Sequence, residues 1–483
     1  MIRRTTTFPG RMLMFASAVL LVSGCANTAI RGNFESAQAV TRDKLEADVQ
    51  WLTTDEARRQ ARSDTDRLLA QPLSGDDAVR IALGYSPAVQ AMLFEAAAAS
   101  AGATQAARLP NPVFSFEHLL RNEGGLREIE IGRVLAFSVY DLVLLPTRLR
   151  LADHQQAQTR LELAARIVAA ATDARQAWIR AVAAQQRVQY FGQVKSAADA
   201  SAELARRMQA VGNFSKLQRA REQAFSADAV AQLARAQQAA RSTREALVRA
   251  LGLDASQALA MTLPDRLPDL PAKLRDEQAV MQAALDQRLD VRIAKANLEF
   301  TAREQGLTQV TSFVNSFDVA GVRNTETGRE PQKGYALDVA LPIFDFGDAA
   351  RTRAAATYMA ALNHTAQSIV EASSQVRETY AAYRTADDVA KHYRDEIVPL
   401  HKVISEENML RYNGMLIGVF ELLADAREQI ASVVQAIDAQ QDFWLADADL
   451  QAALIGRPLA RVASETGSMA GRSAVARQAM ELQ

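Results

Sequence analysis

Leu135-Ala136-Phe137-Ser138-Val139-Tyr140-Asp141 is answered 204 residues later by Val339-Ala340-Leu341-Pro342-Ile343-Phe344-Asp345. Two more echoes keep the same order. Ala82-Leu83 and Val89 return as Ala284-Leu285 and Val291, and Ala220-Arg221-Glu222-Gln223 returns as Ala426-Arg427-Glu428-Gln429. Three matches in one order, with offsets drifting by only a few residues, mark an internal duplication. Pro264, Pro268 and Pro271 keep a helix from forming between the halves. The chain is therefore read as a first repeat over 73–262, a linker over 263–275 and a second repeat over 276–459.

Each half has the same order of elements. Helices are expected from Asp76 to Ala107 and from Glu277 to Gln309. Two strands follow in each half. Ile129, Ile131, Leu135, Phe137 and Val139 alternate with polar or small residues, as do Tyr335, Leu337, Val339, Leu341 and Ile343. Their partner strands are expected over Val113 to Leu120 and Phe313 to Val322, across polar loops at Arg121–Arg127 and Arg323–Lys333. Phe137, Val139, Leu341 and Ile343 are the candidate membrane-facing positions of these strands, and Phe114, Phe116, Tyr140, Phe344 and Phe346 suit an aromatic girdle. Alternation alone also fits an amphipathic hairpin on a soluble core.

Beyond the strands the period changes. Ile167, Ala171, Ala174, Trp178, Ala181, Gln185 and Val188 step by four and three, and so do Ile369, Ser373, Val376, Tyr380, Tyr383, Asp387 and Ala390. That is a coiled-coil seam, rich in small residues that let helices approach closely. The stretches Thr147–Val211 and Asp348–Asn413 would each span roughly 100 Å as continuous helix. Gly212, and Gly414 with Gly418, mark the reversals into return helices. The fold class expected is mainly α, with long coiled-coil helices and four strands per chain.

Four strands cannot close a barrel, and open edges in lipid would leave backbone groups unsatisfied. Two copies would give eight strands, three would give twelve with room for a pore, and four also remain possible.

The N-terminus reads as a targeting segment over 1–24. Arg3, Arg4 and Arg11 precede an apolar run from Met12 to Val22, then Val22-Ser23-Gly24-Cys25. Small residues before the chain's single cysteine resemble a lipobox, which makes Cys25 the expected site of lipid (palmitate) attachment. Ala26 rather than Asp follows it, as in lipoproteins sent to the outer membrane. Residues 25–72 read as a lipidated tether, and 460–483 as a disordered tail.

Composition narrows the function. Among 483 residues, 55 Lys and Arg against 56 Asp and Glu give a net charge of -1, with no basic excess for nucleic acid. The histidines (His118, His154, His364, His392 and His401) lack metal-ligand spacing, so no metal and no cofactor is expected. No phosphate loop or nucleophile motif stands out, so no enzyme is expected.

The duplicated order and the segment Arg411-Tyr412-Asn413-Gly414-Met415-Leu416-Ile417-Gly418-Val419-Phe420-Glu421-Leu422-Leu423-Ala424-Asp425-Ala426 resemble the TolC-like outer-membrane efflux factors. That family's tip motif has Tyr and Gly followed by an acid, two aliphatics and Ala. It commonly places Asp before the final Ala; here Ala424 holds that position by direct alignment and Asp425 follows. The resemblance covers about 73–459. It implies a homotrimer, a twelve-stranded outer-membrane barrel, a periplasmic α-barrel, and docking to a periplasmic adaptor and an inner-membrane pump. Glu421 and Asp425, one turn apart, then become candidate gate acids at the periplasmic tip. The expected function is a passive exit duct of a tripartite efflux system. The alternatives are the exit duct of a protein secretion system and a lipid-anchored periplasmic scaffold without a pore.

Overall fold

The computed structural model describes residues 31–456, apart from 33, 36, 37, 40, 41, 43–46, 124, 125, 279, 281–287, 313–315 and 342. Cys25, the targeting segment and the 460–483 tail lie outside the described residues. The elements, in order, are α1 (Asp55–Leu69), α2 (Gly75–Tyr85), α3 (Pro87–Ala106), β1 (Val113–Glu123), β2 (Leu126–Ser138), α4 (Val139–Ala210), α5 (Lys216–Leu251) and α6 (Ala255–Ala260). The second half holds α7 (Leu289–Thr311), β3 (Phe317–Glu326), β4 (Gln332–Val339), α8 (Asp348–His392), a π-helical turn at Tyr393–Ile397, α9 (Val398–Asn413) and α10 (Val419–Ile455). The duplication thus returns as helix, hairpin, long helix, tip and return helix. The first helix of repeat one is broken where Ser86 precedes Pro87, because a residue before proline is pushed out of the helical region.

The chain divides into two compact units that cut across the repeats. One takes 94–163 and 291–369 with the N-terminus; the other takes 38–93, 164–290 and 370 onward.

The first unit is built on one antiparallel sheet of order β1-β2-β3-β4. Each repeat supplies one hairpin, and β2 joins β3 across the duplication, with Val134 opposite Val322. β1 and β4 are edges, each paired on one side. Both strand pairs run further than the sequence pattern indicates at the hairpin end, to Glu123 and Leu126 in the first half. At the other end β1 begins at Val113 as expected, whereas β2 stops at Ser138 and β4 at Val339, sooner than expected. Val139 opens α4 rather than continuing β2, because Ser138 caps that helix: its hydroxyl accepts the Asp141 N–H at 3.3 Å. Leu341 and Ile343 lie past the end of β4, and the Ile343 N–H turns back to the Leu341 carbonyl at 2.8 Å. Gly347 then passes with φ +72°, where a Cβ would sit 2.7 Å from the Ser312 carbonyl oxygen, so this corner admits only glycine.

Among the described residues the second unit holds large apolar clusters. Ile167, Ala171, Ala174, Trp178 and Ala181 of the first seam are buried. The Trp178 indole donates to the Leu73 carbonyl at 2.7 Å. In the second seam Val376, Tyr380, Tyr383, Asp387 and Ala390 are buried, while Ile369 is exposed. Phe443 packs against Tyr383 in a tilted arrangement and edge-on against Trp444, with centroids at 5.4 and 5.2 Å. The inter-repeat linker is pinned at Pro268, whose carbonyl accepts from Trp444 at 3.0 Å and Gln440 at 2.7 Å.

Both repeats close their return helix the same way. Gly252 and Gly456 take left-handed φ of +69° and +86° and press on the start of a helix of their own repeat, Ser86-Pro87 in one case and Arg288-Leu289-Asp290 in the other. The second long helix differs from the first by its π turn. Pro399 lacks the N–H owed to the Asp395 carbonyl, and its ring would crowd that oxygen; the widened turn at Tyr393–Ile397 lies immediately ahead of it.

Candidate functional site

Two helix-to-helix reversals in the second unit carry the candidate tip residues. The first joins α4 to α5. Gly212 takes φ +84°, and Asn213 and Phe214 both donate to the Met208 carbonyl. Ser215 then forms a capping box with Gln218, at 3.2 and 2.6 Å. Arg219 reaches back across the turn to Gln209 at 2.9 Å.

The second reversal joins α9 to α10 by different means. Gly414 and Gly418 have ordinary φ of -80° and -85°. The left-handed position belongs to Met415, at φ 57°. Sequence reasoning placed the conformational freedom on the glycines and missed Met415, for which no local signal exists. Gly418 is the N-cap and has no side chain to offer. Glu421 occupies the position that Gln218 holds in the first tip, in the first turn of α10. There the helix dipole favours its negative charge, and it is exposed.

Asp425 lies one turn further on and is half-buried. Its Oδ2 is enclosed and has no hydrogen-bond partner among the described residues. Two residues on, Arg427 sets its guanidinium 4.4 Å from the centre of the Phe225 ring and meets Glu222 Oε1 at 3.4 Å. Glu222 is buried and also accepts the Ser201 hydroxyl at 2.9 Å. This pair ties α5 of the first repeat to α10 of the second. The echo of Ala220–Gln223 at Ala426–Gln429 was visible in the sequence, but not that Glu222 meets Arg427 across it. Nearby, Lys195 and Ser226 hold the Asp199 carboxyl below its ordinary range, and Arg206 and Arg207 hold Glu203 down to about 2. Among the described residues no cluster of His, Cys, Asp and Glu could hold a metal ion.

The strand candidates separate. Residues paired across the sheet share a face, so Phe114, Leu135 and Tyr335 lie on one side with Phe116, Phe137, Leu337 and Val339. All are exposed. The opposite face carries Ser115, Glu117, Gly132, Ala136, Asn324 and Ala336. Of the four membrane-facing candidates only Phe137 is in a strand; Val139, Leu341 and Ile343 are not. No helix among the described residues is long and apolar enough to cross a membrane.

Long helices in duplicated order and a four-stranded sheet with one apolar face define a fold class, and solved structures share it. No family model and no curated protein matches the chain. A membrane protein from Pseudomonas aeruginosa aligns at 20% identity over 84% of this chain and 95% of its own, with TM-score 0.67. The Campylobacter jejuni CmeC outer membrane channel gives 15%, 80%, 87% and 0.68 in the same order. The open state of the Neisseria gonorrhoeae MtrE outer membrane channel gives 18%, 79%, 88% and 0.64. The fold is the TolC-like fold of outer-membrane channels.

Proposed function

We propose that this chain is the outer-membrane exit duct of a tripartite efflux system, working as a homotrimer and conducting passively. The observation that carries this reading is the sheet. Its apolar face is exposed, its other face is polar, and β1 and β4 have free edges. Four strands with open edges are untenable in lipid, whereas three copies close twelve strands around a polar interior. The solved outer-membrane channels of the same fold support the same reading. In it, Phe137 faces lipid, Cys25 carries a lipid anchor, and the helices extend into the periplasm toward an adaptor and an inner-membrane pump that supplies the energy. Glu421 and Asp425 converge about the trimer axis as acid rings that hold or relay cations. Native mass measurement of detergent-extracted protein tests the assembly: the expected species is a trimer, and a stable monomer with all four strands in lipid would refute it.

A further inference from the structure

The sheet sorts its charges by face. Glu117, Glu128, Glu130, Asp318, Glu326 and Asp338 all fall on the polar side of the register. The apolar side carries no carboxylate among the described side chains and instead holds a row of cations. Arg133 stands opposite Arg323, and Arg323 opposite Lys333, on three neighbouring strands, with Phe116 completing the row on β1. Like charges placed directly across strands repel. Arg133 is half-buried and the other two are exposed. None of the three side chains has an ionic or hydrogen-bonding partner among the described residues.

The position of the row is informative. Toward the helix end it is followed by Phe114, Leu135 and Tyr335, then by Phe137 and Leu337, then by Val339. The six residue steps from Lys333 to Val339 cover roughly 20 Å along a strand. That accounts for most of an outer-membrane apolar band, about 25 Å tall. The cations therefore sit in the part of that band nearer the hairpin loops, the end away from the helices; beyond them on the same face come His118, Ile131 and Thr325, then Leu120 and Ile129.

We propose that Arg133, Arg323 and Lys333 form a binding site for the phosphate groups of lipid headgroups in the outer leaflet, the leaflet away from the periplasm. The inference rests on the exit-duct reading, which puts the apolar face in lipid. Two guanidinium forks and an ammonium in one row match the several oxygens of a phosphate, and a bound anion relieves the repulsion along the row. The apolar residues on the helix side of the row contact the acyl chains of the same lipid. The polar, carboxylate-bearing face is unsuited to such a ligand, which fixes the site to the lipid side.

The test uses the full chain in nanodiscs of phosphatidylcholine doped with lipid A or with dephosphorylated lipid A, and counts retained lipid per trimer by native mass spectrometry. Wild type should retain lipid A over the dephosphorylated form. Arg133→Gln/Arg323→Gln/Lys333→Gln should lose that preference at least tenfold. The single variant Lys333→Gln, on the edge strand, should lose part of it and serves if the triple variant misfolds. Equal retention of both lipids by wild type, or an unchanged preference in both variants, overturns the site. Conductance is recorded on the same samples. If wild type neither inserts nor conducts, the exit-duct reading fails; if it does both and the preference survives mutation, the phosphate site alone fails.

Discussion

Replacing Arg288 by Met should loosen the end of α10. The Arg288 side chain is 1% exposed. Its Nη1 donates to the Ala453 carbonyl at 2.6 Å, its Nη2 to Asp290 at 2.6 Å and to Gln375 at 2.7 Å, and its Nε to Asp290 at 3.0 Å. One guanidinium thus joins the start of α7, the long helix α8 and the last turn of α10. Breaking one side of a buried ion pair costs about 3–5 kcal/mol. Asp290 keeps some solvent contact, at 18% exposed, so the lower half of that range applies. About 3–4 kcal/mol corresponds to roughly a 10²–10³-fold rise in local opening. Hydrogen exchange at the amides of residues 452–456 is the assay, because it reads local opening without requiring the whole molecule to unfold in one step. Arg288→Met/Asp290→Asn should cost about 0.5–3 kcal/mol less than the two single changes added together, since the second substitution removes the orphaned charge. Exchange accelerated less than tenfold by Arg288→Met, or simple additivity in the double variant, would refute the clamp.

Other expectations follow from single residues. Met415→Gly removes the side chain from a left-handed conformation that disfavours it and should stabilise the α9–α10 turn by about 1 kcal/mol, seen as slower exchange at Leu416. Burial raises the Asp447 carboxyl above its usual range despite Arg275. A raised carboxyl pKa favours folding while protonated and penalises it once ionised, so Asp447→Asn should raise the melting temperature at pH 7. That gain should fade below about pH 4, where the carboxyl is protonated in both folded and unfolded chains; a pH-independent difference would sink the assignment. Cys25→Ser should abolish incorporation of radioactive fatty acid, and unchanged labelling would remove the anchor. Glu421→Ala/Asp425→Ala should weaken block by divalent or hexammine cations and lower cation selectivity, whereas identical block and selectivity would remove both acids from the gate.

The duplication was legible because coiled-coil seams and strand alternation leave long periodic traces. The seam residues Ile167, Ala174 and Trp178 are buried as their spacing indicates. The strand ends were misread for a physical reason. Phe137 and Val139 continue a period of two, but Ser138 with Asp141 is a helix-start signal that overrides alternation. On the other side Pro342 falls just beyond β4, and proline has no N–H for a ladder. The break within the second long helix could have been anticipated from Pro399, though not that it would take π form. Met415 was not readable, because glycines on both sides offered the cheaper solution and only the three-dimensional path of the turn decides between them. The Glu222–Arg427 pair was equally hidden, since a contact between repeats depends on how the helices pack and not on any local pattern.

The central claim is that three copies of this chain close a pore. Single-channel recording in a planar bilayer tests it most directly, using purified protein whose trimeric mass has been checked first. Discrete unitary steps, obtained without any partner protein and favouring cations, are the predicted result. A folded, membrane-bound trimer that produced no conductance steps, whether or not Glu421 and Asp425 are replaced, would contradict the account.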